Sequence, residues 1–368
     1  MSEQKRIVFL DYLRVFACLL VMLVHACEQY YFNAAGDFHI ATRGDALALV
    51  GLDSLARASV PLFVMASAFL LFPLRRTTGE FFRRRFMRVV VPFVVWACVY
   101  TTRFGGDWTA MAFNFPMATG GHLWFVPMLL GLYLLMPLIS PWAERVSEKE
   151  LRGWILLWFV TTFFPFIRKL CLAWCGAPSF GAVPFLYGEC PWNAFGTFHY
   201  VSGFVGYMLL GFWFRKFAPE MGWRKTLVRA VPLLAVGWVI VAGFFYFRIP
   251  DAAGYPVTRP YATAVDLEMS WEFCSFGVAL TVLGYFLVLR RFKGDGAFYR
   301  MVIRPLSEAS YGTYLLHILV LVELAEFVKP ALPTPVAIPA LALATFLSSS
   351  VVSLTLRRLP LVGRWICG

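Results

Sequence analysis

Apolar residues recur along this chain in blocks of about twenty, the length an α-helix needs to cross roughly 30 Å of hydrocarbon. Ten such blocks, near residues 7–31, 54–74, 88–103, 120–141, 153–175, 198–217, 228–247, 269–289, 308–328 and 336–356, predict ten transmembrane helices. The third is short and the fifth ends on Arg168-Lys169, so these two carry the weakest signal. The pattern predicts an all-α, polytopic helical bundle forming one transmembrane domain over 1–368. Composition agrees, with 60% apolar and only 15% charged residues, where soluble domains carry about 25% charge. An aromatic content of 18% also excludes disorder and collagen-like repeats.

The net charge of +12 invites a nucleic-acid reading until the basic residues are placed. With a cytoplasmic N-terminus, 24 of the 33 Lys and Arg fall on the inner side, in the N-terminus, the loops near 75–88, 143–152, 215–229 and 290–304, and the tail from 357. That asymmetry is what inserted helices show, and it predicts that both termini are cytoplasmic. Orientation and anionic headgroups account for the excess, so no nucleic-acid partner is expected. Lys5-Arg6 before an apolar run resembles a signal peptide, but no small-residue cleavage site follows, which predicts a retained helix. Cys18, Cys27, Cys98 and Cys274 stand singly in apolar spans, and only Cys171, Cys175 and Cys190 have the outer placement that permits a disulfide. No metal site is predicted, and no GxGxxG or Walker loop is present.

Charges inside hydrocarbon are costly and mark function or a buried partner. The first span has four ionisable residues, Asp11, Arg14, His25 and Glu28. Arg14 and His25 are eleven residues apart, which on a helix leaves them about 20° from the same face and roughly 16 Å apart along the axis. Glu28 follows His25 by one turn and can orient its imidazole; Asp11 precedes Arg14 by one turn and can pair with it. One reading is a buried polar seam between helices. The other is a two-ended site, with a cation for anionic cargo and a base deeper in, suited to a substrate charged at one end and reactive at the other, such as an acyl-coenzyme A.

The stretch Leu10-Asp11-Tyr12-Leu13-Arg14, ten residues and then His25 resembles the R/K-x10-H motif of the membrane acyltransferase-3 family. Ser59-Val60-Pro61-Leu62-Phe63 through Ser67-Ala68-Phe69-Leu70 is similar to its VPLFFxxSGFLL helix, with Ala68 in place of glycine. Arg85-Phe86-Met87-Arg88 resembles its RxxR loop, His122-Leu123-Trp124-Phe125 its HLWF, and Tyr311-Gly312-Thr313-Tyr314-Leu315-Leu316-His317 its YGxYLxH pattern. Between 142 and 305 only topology aligns. Within the family the opening residues are similar to members that O-acetylate enterobacterial common antigen.

The resemblance implies a bacterial enzyme of the inner (cytoplasmic) membrane. It would move an acetyl group from cytoplasmic acetyl-CoA, a co-substrate and not a bound cofactor, to a hydroxyl of a surface or lipid-linked glycan. A sugar hydroxyl is a weak nucleophile, so the missing element is a general base. His25 is the expected base, or transient acyl carrier, with Glu28 orienting it. Arg14, with Asp11 beside it, Arg85 and Arg88 are the expected donor-binding residues, and Ser67 a donor to the thioester carbonyl. His122, Trp124, Tyr314 and His317 are expected to line the pocket. His199 reads as structural or acceptor-side. The outer stretches 176–200 and 248–268, rich in aromatics with some carboxylates, sit where a glycan would arrive, although an interfacial aromatic belt has the same composition. Membrane lipids are expected partners, and a homodimer is compatible with the sequence. The rival reading is a transporter or flippase, with Arg14, His25, Glu28, Glu272 and Glu323 along a substrate or proton path.

Overall fold

The computed structural model describes residues 6–33, 35–113, 121–164, 166–167, 196–249, 254–260, 272–360 and 362–368. Among them the chain is a helical bundle whose strands are two three-residue segments. The helices are α1 (Val8–Tyr31), α2 (Arg43–Ala56), α3 (Ser59–Leu71), α4 (Thr78–Arg85), α5 (Val91–Arg103), α6 (Trp108–Phe113), α7 (Phe125–Arg145), α8 (Glu148–Thr161), α9 (Phe204–Lys216), α10 (Trp223–Arg248), α11 (Phe276–Leu289), α12 (Arg304–Ala331), α13 (Thr334–Arg357) and α14 (Gly363–Cys367).

Seven helical stretches among the described residues are long and apolar enough to cross a membrane, against the ten expected. They are Val8–Tyr31, Arg43–Leu71, Thr78–Arg103, Gly121–Arg145, Trp223–Phe247, Tyr299–Ala331 and Thr334–Arg357. The differences have local causes. The second stretch begins eleven residues before the apolar block at 54, because Thr42 and Asp45 form a capping box that starts α2 upstream of it. The third begins at Thr78, where Thr77 caps the basic segment ahead of the apolar one. α9 and α11 are 13 and 14 residues long. Of the expected fifth span, residues 168–175 lie outside the described set, as do Cys171, Cys175 and Cys190.

Two π-helical turns, Phe86–Val90 and Tyr299–Ile303, lead into α5 and α12 at the side the basic residues mark as cytoplasmic. On the opposite side β1 (Phe38–Ile40) pairs antiparallel with β2 (Val257–Arg259), tying the loop after α1 to the segment after α10.

α1 runs through the middle of the bundle, against α2, α3, α12 and α13. Hydrocarbon supplies no hydrophobic drive between helices, so close packing must come from small residues at the contacts. At Gly211 on α9 an added Cβ would stand 2.6 Å from the Met65 carbonyl oxygen of α3. α10 and α11 approach as closely, since a Cβ on Gly237 would meet the Gly277 carbonyl oxygen at 2.7 Å.

Gly211→Ala is therefore expected to lower the thermal midpoint in detergent, a backbone clash costing about 1–3 kcal/mol. Gly243→Ala, where an added Cβ meets nothing within 4 Å, is expected to hold or raise it, by about 0.5–1 kcal/mol. A Gly211→Ala protein that melts with the wild type removes the close α3–α9 contact as a determinant of stability.

Candidate functional site

The four ionisable residues of α1 divide into two groups, one at each end of the helix. At the N-terminal end of α1 Asp11 is 2% exposed and its carboxylate is nearly saturated. Arg6 Nε donates to it at 2.6 Å and Arg6 Nη2 at 3.1 Å, while the Tyr299 and Ser307 hydroxyls each donate at 2.7 Å. Arg14 Nη1 stands farther off, at 3.8 Å. Asp11 thus ties α1 to the second π-helical turn and to the start of α12, and Arg14 keeps its hydrogen-bonding capacity.

Arg14 faces α7 and the inner loop, where Tyr133 and Arg85 act on it electrostatically. The Arg85 guanidinium lies 5.6 Å from the Tyr133 ring centre and 5.9 Å from that of Phe81, and its buried Nε has no hydrogen-bond partner. Arg88, three residues on, is exposed. The π-helical turn between them widens the helix, so the two arginines do not share the face that an α-helical i, i+3 spacing would give them.

At the other end three histidines from three elements converge. His25 comes from α1, His122 from the 3-10 turn Gly121–Trp124 that opens α7, and His317 from α12. Ring centres are 5.0 Å apart for His25 and His317, 5.2 Å for His122 and His317, and 6.3 Å for His25 and His122. Glu28 Oε2 lies 2.6 Å from His25 Nδ1, so the carboxylate fixes the ring and holds a proton on that nitrogen. His317 Nδ1 is 2.5 Å from the Tyr314 carbonyl, and the Tyr314 hydroxyl donates to the His122 carbonyl at 2.5 Å. A carbonyl only accepts, so His317 carries its proton on Nδ1 and leaves Nε2 as a lone pair. Nε2 of His122 and Nε2 of His317 are both buried without a partner.

Leaving such atoms unpaired costs about 1–3 kcal/mol each, which calls for a polar occupant. No group of three His, Cys, Asp or Glu among the described residues is arranged to hold a metal ion. The occupant that fits is a hydrogen-bond donor such as a hydroxyl or water.

The two ends are linked by matched spacing. Tyr133 follows His122 by eleven residues on a helix antiparallel to α1, just as His25 follows Arg14 by eleven. Arg14 therefore faces Tyr133 while His25 faces His122, and the two polar ends are about 16 Å apart along α1.

Other expected site residues lie elsewhere. Trp124 packs on Phe273 and Phe204, with centroid distances of 5.4 and 6.0 Å, and not on the histidines. Ser67 is half-buried on α3. His199 is exposed. Tyr187, Trp192, Phe195, Asp251, Tyr261, Asp266 and Glu268 of the outer stretches lie outside the described residues. Of the transporter path, Glu323 is 62% exposed and pairs with Arg103 at 2.9 Å, away from α1's polar face.

Three contributors had not been singled out from sequence. Tyr100 sets its ring 4.6 Å from that of His122 and donates its hydroxyl to the Leu315 carbonyl at 3.0 Å. Asp53 and Arg57 form a buried bidentate pair at the α2–α3 junction, with bonds of 2.7 and 2.6 Å and side-chain exposures of 0% and 8%. Arg57 also acts electrostatically on Glu28. An Asp and an Arg four apart, inside a helix otherwise apolar for two turns on either side, was the available signal.

The acyltransferase domain profile of the acyltransferase-3 family matches residues 7–354. Neither the curated proteins nor the solved structures returned a match.

The buried pair makes a stability prediction. Arg57→Met removes the bidentate counter-ion of buried Asp53, and is expected to cost about 3–5 kcal/mol, read as a lower thermal midpoint. Adding Asp53→Leu is expected to recover most of that loss. If the single and double variants melt alike, the pair does not couple as its geometry requires.

Proposed function

We propose that this chain, which belongs to the acyltransferase-3 family of multi-pass membrane acyltransferases, moves an acetyl group from cytoplasmic acetyl-CoA to a hydroxyl of a surface or lipid-linked glycan. The observation that carries this reading is the convergence of His25, His122 and His317 on one buried spot, with Glu28 on His25 Nδ1 and two unpartnered Nε2 atoms beside it. A site that presents lone pairs and one carboxylate-oriented imidazole is built to receive a proton donor and take its proton.

The donor enters from the cytoplasmic end. Arg14 and Arg85 form a cationic pair with spare donors, suited to the phosphates of coenzyme A. The pantetheine arm then lies along α1 between the two ends and brings the thioester to His25. Asp11 serves this arrangement indirectly, by anchoring α1 against α12. His25 Nε2 takes the proton of the acceptor hydroxyl as its oxygen attacks the thioester carbonyl carbon. The tetrahedral adduct collapses with cleavage of the C–S bond, and the imidazolium returns the proton to the departing thiolate. Glu28 holds the ring and stabilises its charged form, as the carboxylate does in hydrolase triads. His317 and His122 accept hydrogen bonds from the incoming hydroxyl, while Tyr314 and Tyr100 fix the two rings. The side facing away from the inner arginines is where a glycan would be received, which makes the inner membrane of a bacterium the natural location.

Transfer to a glycan by protein in liposomes, with radiolabelled acetyl-CoA, tests the roles separately. His25→Ala is expected to lower turnover by about 10²–10⁴ while acetyl-CoA binding persists. Arg14→Ala is expected to weaken donor binding, by roughly ten- to a hundredfold for a lost charge-assisted hydrogen bond. Full turnover by His25→Ala overturns the general-base assignment. Label retained on His25 when no acceptor is present replaces direct transfer with an acyl-imidazole route.

A further inference from the structure

A second site lies apart from the histidines, on the lipid-facing side of the bundle. The ends of α9 and α10 and the middle of α11 enclose a groove of about 440 Å³ at the side the basic loops mark as cytoplasmic. Its walls are Trp213, Phe214, Pro232, Leu233, Leu283 and Leu287, and the charged side chain lining it is Arg229. Val228 at its mouth is 67% exposed and belongs to the Trp223–Phe247 membrane stretch, so the groove opens toward lipid.

Next to the apolar walls stands a cationic rim. Arg290, Arg291 and Lys293 line the adjoining cleft beside Met221 and Leu287, both of which it shares with the groove. The carboxylate there is Glu220, which is engaged by Lys293 at 2.5 Å and is held below the usual carboxylate range by that hydrogen bond. Arg290 donates to the Ala218 and Pro219 carbonyls. Arg229 and Arg291 have no carboxylate partner among the described residues. Arg229 Nη1 reaches only the Met221 sulfur, at 3.1 Å, and Arg291 lies over the Trp223 ring with its buried Nε unpartnered. Arg229 in the groove and Arg291 in the adjoining cleft, with Arg290 and Lys293 beside Glu220, leave a net positive rim next to an apolar channel, which matches one ligand chemistry, a phosphodiester joined to hydrocarbon chains.

We propose that this groove is a binding site for an anionic phospholipid of the cytoplasmic leaflet, its phosphate held by Arg229 and Arg291 and an acyl chain laid along Leu233, Leu283 and Leu287. The site does not depend on the transferase reading. Its occupant would lie between α9 and the closely packed α10–α11 pair.

Trp213 in the wall provides a local reporter. The experiment titrates the full-length protein in detergent with brominated phosphatidylglycerol or brominated phosphatidylcholine and reads the quenching that disappears in Trp213→Phe. The expected result is that the Trp213 component is quenched at a severalfold lower mole fraction of the anionic lipid, and that Arg229→Gln with Arg291→Gln removes this preference. Equal quenching by both lipids makes the groove an ordinary stretch of lipid-facing surface and overturns the proposal. A preference that survives the double substitution, or no quenching of Trp213 by either lipid, overturns it as well. Native mass spectrometry of wild type and the double variant gives a second reading that does not use Trp213. Retained phosphatidylglycerol is expected on the wild type and lost from the variant, and equal retention overturns the proposal.

Discussion

Everything in this structure depends on the cost of placing Asp11, Arg14, His25 and Glu28 on one helix inside hydrocarbon. None of the four can face lipid at a tolerable cost, so α1 must be surrounded, and each of its polar groups must find a partner on a different neighbour. Asp11 takes Tyr299 and Ser307, His25 takes His122 and His317, and Glu28 stands in the field of Arg57. The central position of α1 follows from its charges, and the neighbours are fixed in depth by the residues they must present. Ser307 and His317 lie on one helix, so the contacts at Asp11 and at His25 jointly set the height of α12 against α1.

The same constraint separates groups that are consumed by structure from groups left available for chemistry. Asp11 accepts four hydrogen bonds and has no capacity to spare. His122 and His317 keep an unpartnered nitrogen each, although both are buried. A folding bundle gains nothing from leaving two buried acceptors empty, and about 1–3 kcal/mol apiece is a large fraction of typical net stability. The contrast between a saturated carboxylate and imidazole nitrogens open to a donor is the physical ground for the proposal that the histidine end is reactive and that Asp11 serves the scaffold.

The parts legible in sequence are those where a polar residue contradicts an apolar surrounding. Arg14, His25, His122 and His317 stood out for that reason, and the equal spacing of Arg14 to His25 and of His122 to Tyr133 was present in the chain before any coordinates. What periodicity did not carry is pairing: nothing in the run around Tyr133 says that it faces Arg14. Arg85 and Arg88 read as one motif at i and i+3, but the π-helical turn between them leaves one at the site and the other exposed, and a π-turn has no reliable sequence mark. Asp53 and Arg57 were passed over because the apolar block was started at 54, which cut the pair in two. Two of the ten expected blocks hold the short helices α9 and α11, 13 and 14 residues long, and block length alone does not say where in a span the regular helix begins.

On the reading that acetyl-CoA is the donor, the face of α1 between Arg14 and His25 is the path its pantetheine arm would follow. That path is bounded by α1, by α7 antiparallel to it and by α12, and aromatic residues line its upper end, with Phe125 and Tyr314 rings 5.5 Å apart. The Glu28–His25 pair at that end is partly buried, with side-chain exposures of 30% and 15%, and burial strengthens such an interaction by lowering the local dielectric constant. Arg14 at the other end is exposed to the same degree as Glu28, 31% against 30%, so the two ends differ in charge and not in exposure. One rigid helix thus holds a cationic end and an imidazole–carboxylate end about 16 Å apart, the separation that a donor charged at one end and reactive at the other would span in the proposed transfer.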